Sequence, residues 1–216
     1  MKKLVIALFA VCAIFSSCQK TPEDKANDLI KENITKMLTY PDSYESVETT
    51  IDSLFTPMYT VAFYEKSQRA MELIDRIVEN ERKVANALFS MHIHSGIYSN
   101  SAYDRAKYKE GKEEYEIAKK YKEKAVPELE SLNKEMKAQL EKGDEFLGYA
   151  IEHKFRCKNE GGNTTMNDFL LIVDKDMNEV IMSFNLNSLE FRRYYNFCDR
   201  IMDDLPLYSD INKYVR

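Results

Sequence analysis

Residues from about Glu65 to Lys142 form a long run of charged, helix-favouring side chains nearly free of glycine, and such a segment has few folded options. Its first half spaces Ala70, Ile74, Ile77, Val84, Leu88 and Met91 in a heptad-like series that Glu81 interrupts. Its second half places Ala118, Tyr121, Ala125, Leu129, Leu132, Met136 and Leu140 at steps averaging about 3.67 residues, whereas a left-handed coiled coil wants about 3.5. The expectation is two long, nearly straight antiparallel helices that turn around Ser95-Gly96 to Ser101, with a kink at Pro127. At about 1.5 Å per residue each would reach roughly 45–60 Å.

The flanking sequence has other periods. Thr21-Pro22-Glu23-Asp24 reads as a helix start, with Thr21 as cap, Pro22 at the first helical position and Asp24 completing a capping-box-like pattern. Ala26, Leu29, Ile30, Ile34, Met37 and Leu38 then share one stripe, so a helix is expected over 22–39, ending before Tyr40-Pro41. From Tyr44 to Phe55 the period falls to two, through Val47, Thr49, Ile51, Ser53 and Phe55, which predicts a strand. Beyond the helix stop at Gly143, Tyr149, Ile151, His153, Phe155 and Cys157 alternate with polar residues as a half-buried strand. Asn159 to Asn163 makes a turn, Phe169–Val173 and Val180–Phe184 are two more strands, and Asn187 with Glu190 opens a last amphipathic helix. A tail from Asp203 to Arg216 is expected to dock on the body. These elements sum to an α+β fold: a small antiparallel sheet with packing helices and a long two-helix antiparallel insertion. Residues 18–64 and 143–216 would form one discontinuous domain, with 65–142 inserted between its first and second strands.

The amino terminus carries an address. After Met1-Lys2-Lys3, the uncharged stretch Leu4 to Phe15 would be roughly 18 Å long as a helix, short of the roughly 30 Å hydrocarbon core. A positive start, a brief apolar middle and small residues at its end mark a secretory signal. Phe15-Ser16-Ser17-Cys18 resembles the lipobox of bacterial lipoproteins, in the form seen in the Bacteroidota, with Phe15 where leucine is usual. The resemblance implies that 1–17 is a signal peptide, cut between Ser17 and Cys18. It further implies diacylglycerol on the Cys18 thiol and an acyl chain such as palmitate on the new amino terminus. The bilayer is then a partner through acylated Cys18, and the protein sits in the cell envelope on the inner or outer membrane, facing the periplasm or the cell surface. Each buried methylene contributes about 0.8 kcal/mol, so several chains hold almost permanently. Only about three residues would separate lipid from fold, roughly 10 Å when extended. The phrases Tyr40-Pro41-Asp42-Ser43-Tyr44-Glu45 and Ile51-Asp52-Ser53, with the strand His153 to Asn159, are loosely similar to Bacteroidota lipoproteins, a likeness that implies no activity.

Removing the first 17 of 216 residues leaves 199, suited to one domain or one with an insertion, and losing Lys2 and Lys3 takes the formal charge from −5 to −7. An acidic chain with both signs interspersed has no footprint for nucleic acid. Cys12 leaves with the signal and Cys18 is lipidated. Cys157 and Cys198 remain, either as one disulfide in an oxidising compartment or as two buried thiols.

Candidate chemistry is thin. Asp174, Asp176 and Asn178 open like a calcium loop, but Glu179 and Asn185 stand where that loop needs glycine and a bidentate glutamate. His92 and His94 are two apart and point to different sides of a helix, and His153 reads as a sheet histidine, so no metal site is assigned. Ser131-Leu132-Asn133-Lys134 matches the S-x-x-K of penicillin-interacting enzymes without its companion motifs. Gly161-Gly162 is a turn, and Glu113-Glu114 and Asp203-Asp204 are solvated charges. Tyr103, Tyr108, Tyr115 and Tyr121 line the second long helix and Tyr194-Tyr195 lie near the end, fit either for partial burial or for a partner or glycan surface. No catalytic residue and no cofactor is expected. The leading functional expectation is a non-enzymatic interaction or accessory module that meets a protein partner through its helical arm. The rival is an envelope hydrolase or a small-molecule or glycan-binding protein whose site is assembled only by folding.

Overall fold

A computed structural model describes residues 20–95, 101–142 and 145–203. The signal segment with Ser17 and Cys18, the turn residues 96–100, Gly143 and the tail 204–216 lie outside the described residues. The elements, in chain order, are α1 (Pro22–Met37), β1 (Glu45–Leu54), α2 (Val61–His94), α3 (Ala102–Leu140), β2 (Gly148–Lys158), β3 (Thr164–Val173), β4 (Val180–Asn185) and α4 (Leu189–Met202), with single 3-10 turns at Pro41–Ser43 and Pro57–Tyr59. The fold is α+β, with a four-stranded antiparallel sheet and a pair of long packed helices.

The chain divides into two units, residues up to Phe55 with Phe146–Ser188, and Thr56–Glu145 with the residues from Leu189 onward. These boundaries differ from the expected 18–64, 65–142 and 143–216. The 3-10 turn at Pro57–Tyr59 and α4 group with the long helices and not with the sheet. An amphipathic stripe announces that a face is buried but not which neighbour buries it.

In the sheet unit the strands run in the order β1-β2-β3-β4. The α1 capping box forms as expected: the Thr21 hydroxyl accepts from the Asp24 amide at 3.1 Å, and the Asp24 carboxylate accepts from the Thr21 amide at 3.1 Å. Ala26, Ile30 and Ile34 of α1 are buried in one cluster with Ile151, Phe155, Cys157, Leu171 and Val173, so α1 covers one sheet face. Fully burying one such aliphatic side chain contributes about 1.5–3 kcal/mol. Gly148 is required by its backbone: φ is +142°, and a Cβ there would lie 2.2 Å from the Val173 carbonyl oxygen.

The first strand is less buried than its alternation suggests. A register shift between Ser46 and Glu48 marks a bulge at Val47, and Val47 and Phe55 are exposed while Thr49 and Ile51 are half-buried. As an edge strand it carries Glu45, Glu48 and Asp52, charges that discourage pairing with another chain. Glu48 reaches Lys154 at 2.8 Å and Glu45 reaches Arg156 at 3.5 Å on β2.

In the helical unit α2 and α3 have 34 and 39 residues, roughly 50 and 58 Å at about 1.5 Å per residue. Thr60 and Ser101 cap them. Their antiparallel register is marked by Lys66–Glu135 at 2.8 Å, Arg69–Glu128 at 2.7 Å, Lys122–Glu81 at 2.8 Å and His94–Asp104 at 2.9 Å. Helix α3 continues through Pro127. The expected α3 stripe is buried or half-buried throughout. On α2 the series needs one correction: Leu88 is exposed and Ala87 takes the inward position. The reason is opposite it. Gly111 on α3 comes so close that a Cβ there would lie 3.1 Å from the Ala87 carbonyl oxygen and 3.1 Å from Met91 Cγ. Small residues set the distance between the helices at this end, while Phe63, Leu73, Ile77, Leu129 and Met136 fill the seam at the other.

Candidate functional site

Helix α4 packs along the first half of α2. The buried Tyr194 hydroxyl donates to the Met58 carbonyl, its ring meets Tyr64 edge-on at 5.1 Å, and Arg193 bonds Asp75 at 2.7 Å. From about Arg76 to His94 the partner of α2 among the described residues of this unit is α3, giving a two-helix arm roughly 28 Å long at about 1.5 Å per residue. Its end is tied rather than frayed. His94 Nδ1 lies 2.9 Å from Asp104 Oδ1, and Asp104 also bonds the Ser101 hydroxyl. The Ser101 hydroxyl and then His94 hold the Asp104 carboxyl below its usual range. The Tyr103 ring sits edge-on to His94 at 5.8 Å.

That tied end carries unshielded apolar surface. Phe89 is 67% exposed and Ile93, one turn on, 50%; Leu88 flanks them at 48%. On α3, Tyr103, Tyr108 and Ile117 are exposed as well. Scattered exposed apolar residues are ordinary on any protein, but adjacent ones on a rigid helix face are the material of interfaces. Of the tyrosines singled out in the sequence, Tyr103, Tyr108 and Tyr195 are exposed, Tyr115 and Tyr121 half-buried, and Tyr194 fully buried. The apolar periodicity of α2 does not single out Phe89 and Ile93. The series Val84, Leu88, Met91 read from the sequence does not set them apart, because the inward position belongs to Ala87, which packs against Gly111.

The remaining candidates fall elsewhere. His153 is buried in the sheet unit between the Tyr44 hydroxyl, 2.8 Å from Nε2, and the Thr49 hydroxyl, 2.9 Å from Nδ1, with Phe155 stacked on it at 5.6 Å. Burial holds its pKa below the ordinary value. Asp174 turns its carboxylate to the chain, accepting from the amides of Asn178 at 2.6 Å and Glu179 at 2.9 Å. Partial burial raises its pKa, but those amides outweigh burial and hold it below the usual range. Ser131 Oγ donates to Glu135 at 3.4 Å on the exposed side of α3, Gly162 adopts φ +77° in the β2–β3 turn, and Glu113 lies 3.8 Å from Lys109. His92 is exposed, and its neighbour His94 is committed to Asp104.

Cys157 and Cys198 are free and buried, each in the interior of its own unit, so the disulfide entertained from the sequence is not formed. Cys157 Sγ accepts from Asn167 Nδ2 at 3.2 Å. Burial pushes the Cys198 thiol up to about 11, against the opposing pull of Tyr194 and Ser67.

A polar cleft of about 610 Å³ lies on the sheet unit, where Tyr40, Asp42 and Glu45 face Arg156 and Lys158. Its charges are mixed and Arg156 already pairs with Glu45. Among the described residues no group of three or more His, Cys, Asp or Glu side chains is arranged to hold a metal, and no helix is long and apolar enough to cross a membrane. No family model matches the chain, and neither a curated protein nor a solved structure does.

Proposed function

We propose that the protein is an envelope lipoprotein, held by lipid on Cys18, whose two-helix arm docks a protein partner. It acts by binding rather than by catalysis. The observation that carries the docking part is the adjacent exposure of Leu88, Phe89 and Ile93 at the tied end of the arm. Rigid helices presenting large apolar side chains lose little conformational freedom on binding, and aromatic anchors of this kind dominate interface energetics. The anchoring part rests on the lipobox-like Phe15-Ser16-Ser17-Cys18, and the short stretch to the Thr21 cap supports a position close to the bilayer.

Two variants test the two parts separately. Cys18→Ala should release the protein from envelope membranes washed in high salt, and continued sedimentation with them would contradict the anchor. Phe89→Glu with Ile93→Glu should leave the helical circular dichroism unchanged and remove the adduct that wild type forms on chemical crosslinking in whole cells. An adduct pattern identical to wild type would contradict docking through this surface.

A further inference from the structure

The helical unit contains a second feature that docking through the arm does not use. A groove of about 560 Å³ runs between α2 and α4, inside the size range of small-molecule sites, which is roughly 300–1,000 Å³. Two adjacent rows of α4 form one wall. Leu189, Arg193 and Phe197 follow each other at intervals of four, and Arg192, Asn196 and Arg200 follow at the same interval beside them. Each row therefore runs roughly 12 Å along the helix at about 1.5 Å per residue. Met71 and Ile74 of α2 supply the opposite apolar side, with Asp75 at its edge.

The side chains divide the groove by chemistry. Met71 and Phe197 are buried and Ile74 half-buried, so the floor is apolar, while Leu189 at the mouth is 82% exposed and lacks, among the described residues, the cover a leucine normally finds. Three arginines line the groove against one aspartate, and that aspartate is held by Arg193, which also reaches the Met71 carbonyl at 3.4 Å. Arg192, exposed on the cationic row, makes no ion pair among the described residues. A guanidinium presents two parallel donors to a carboxylate, a geometry an ammonium lacks. An occupant that satisfies both halves has an alkyl body for the floor and an anionic head for Arg192. Asp75 at the edge disfavours a second negative charge.

We propose that this groove binds an amphipathic carboxylate, an alkyl chain of medium length ended by one acidic group. The chain lies on Met71, Ile74 and Phe197, and the carboxylate accepts from Arg192. The whole chain, reconstituted in phosphatidylcholine nanodiscs, tests this with a dodecanoic acid carrying a diazirine in its tail. Photolabel should map to the peptides containing Met71–Ile74 and Leu189–Phe197. Excess laurate should suppress it and dodecyltrimethylammonium should not. Arg192→Glu, an exposed change that leaves the fold intact by circular dichroism, should reduce labelling at least ten-fold, and Arg192→Lys should lose less. Diffuse labelling, equal competition by the cationic amphiphile, or labelling unchanged in Arg192→Glu would overturn the proposal. So would absence of label, the result if another part of the chain or a protein partner fills the groove. None of these outcomes bears on docking through Phe89, so the two readings fail independently.

Discussion

Lys122 on α3 places its Nζ 2.8 Å from Oε1 of Glu81 on α2, and Glu81 is the sheltered partner, with 14% of its side chain exposed against 43% for lysine. Glu81 is the residue that breaks the apolar series of α2, and the structure supplies the reason it is tolerated: its charge is met across the seam. Removing one member of such a pair costs more than removing both, because the remaining charge loses its cross-seam ion pair in a partly desolvated place. Lys122→Leu should lower unfolding free energy by about 1 kcal/mol, discounted for the exposure of the lysine. Glu81→Leu with Lys122→Leu should be neutral or stabilising. Urea unfolding of the two variants checks the order, and a double variant less stable than the single would contradict it.

Gly111 sets how closely the helices approach. Gly111→Ala gains about 1 kcal/mol of helix propensity but places a methyl 3.1 Å from the Ala87 carbonyl oxygen, so its net effect should be small. Gly111→Leu cannot be accommodated by side-chain adjustment alone and should destabilise by about 1–3 kcal/mol. Thermal unfolding separates the cases. A leucine variant as stable as wild type would mean that the helices are not packed this closely at Ala87.

His153 gives the sheet unit a pH dependence of definite sign. Its pKa is lowered in the folded protein from the ordinary 6.5 by burial, so the unfolded chain binds the proton more readily. Stability from this group is therefore complete above about pH 6.5 and is lost as pH falls below it, with a slope of at most about 1.4 kcal/mol per pH unit. Glu48 and Asp174, whose carboxyls are held below their usual ranges, act in a more acidic window. His153→Gln should flatten unfolding free energy between pH 7 and 5. A slope unchanged in that variant would contradict the assignment.

The two thiols offer a chemical check. With Cys198 pushed up to about 11 and both cysteines buried, native protein beginning at Gln19 should resist iodoacetamide at pH 8. It should take up two carbamidomethyl groups once denatured without reductant, as counted by intact mass. A denatured mass showing no uptake would restore the disulfide.

Much of this architecture was legible because it is written in local chemistry. Thr21-Pro22-Glu23-Asp24 fixes the start of α1 through hydrogen bonds three residues apart, and the strand ends beside Asn159–Asn163 and Asp174–Asn178 follow from turn residues. What was not legible depends on partners distant in sequence. Nothing in the stripe of α4 says that Tyr194 closes on Met58. Nothing near Leu88 says that a glycine at 111 will draw Ala87 inward in its place. Cys157 and Cys198 looked pairable only because a count of two carries no geometry. The Phe89 surface was hidden for a related reason. An exposed apolar residue between buried stripes has no period of its own, and only the fold places Leu88, Phe89 and Ile93 together beside the His94–Asp104 contact.

The claim on which the functional account depends is that Phe89 faces a protein partner while the lipid on Cys18 holds the chain in place. Photocrosslinking in living cells measures it directly, with a benzoyl-phenylalanine at position 89 and, as control, at Glu72 near the base of α2. Irradiation should give a discrete adduct from position 89 that is absent from position 72 and is lost in Cys18→Ala. The same adducts from both positions, or none from position 89, would contradict the account.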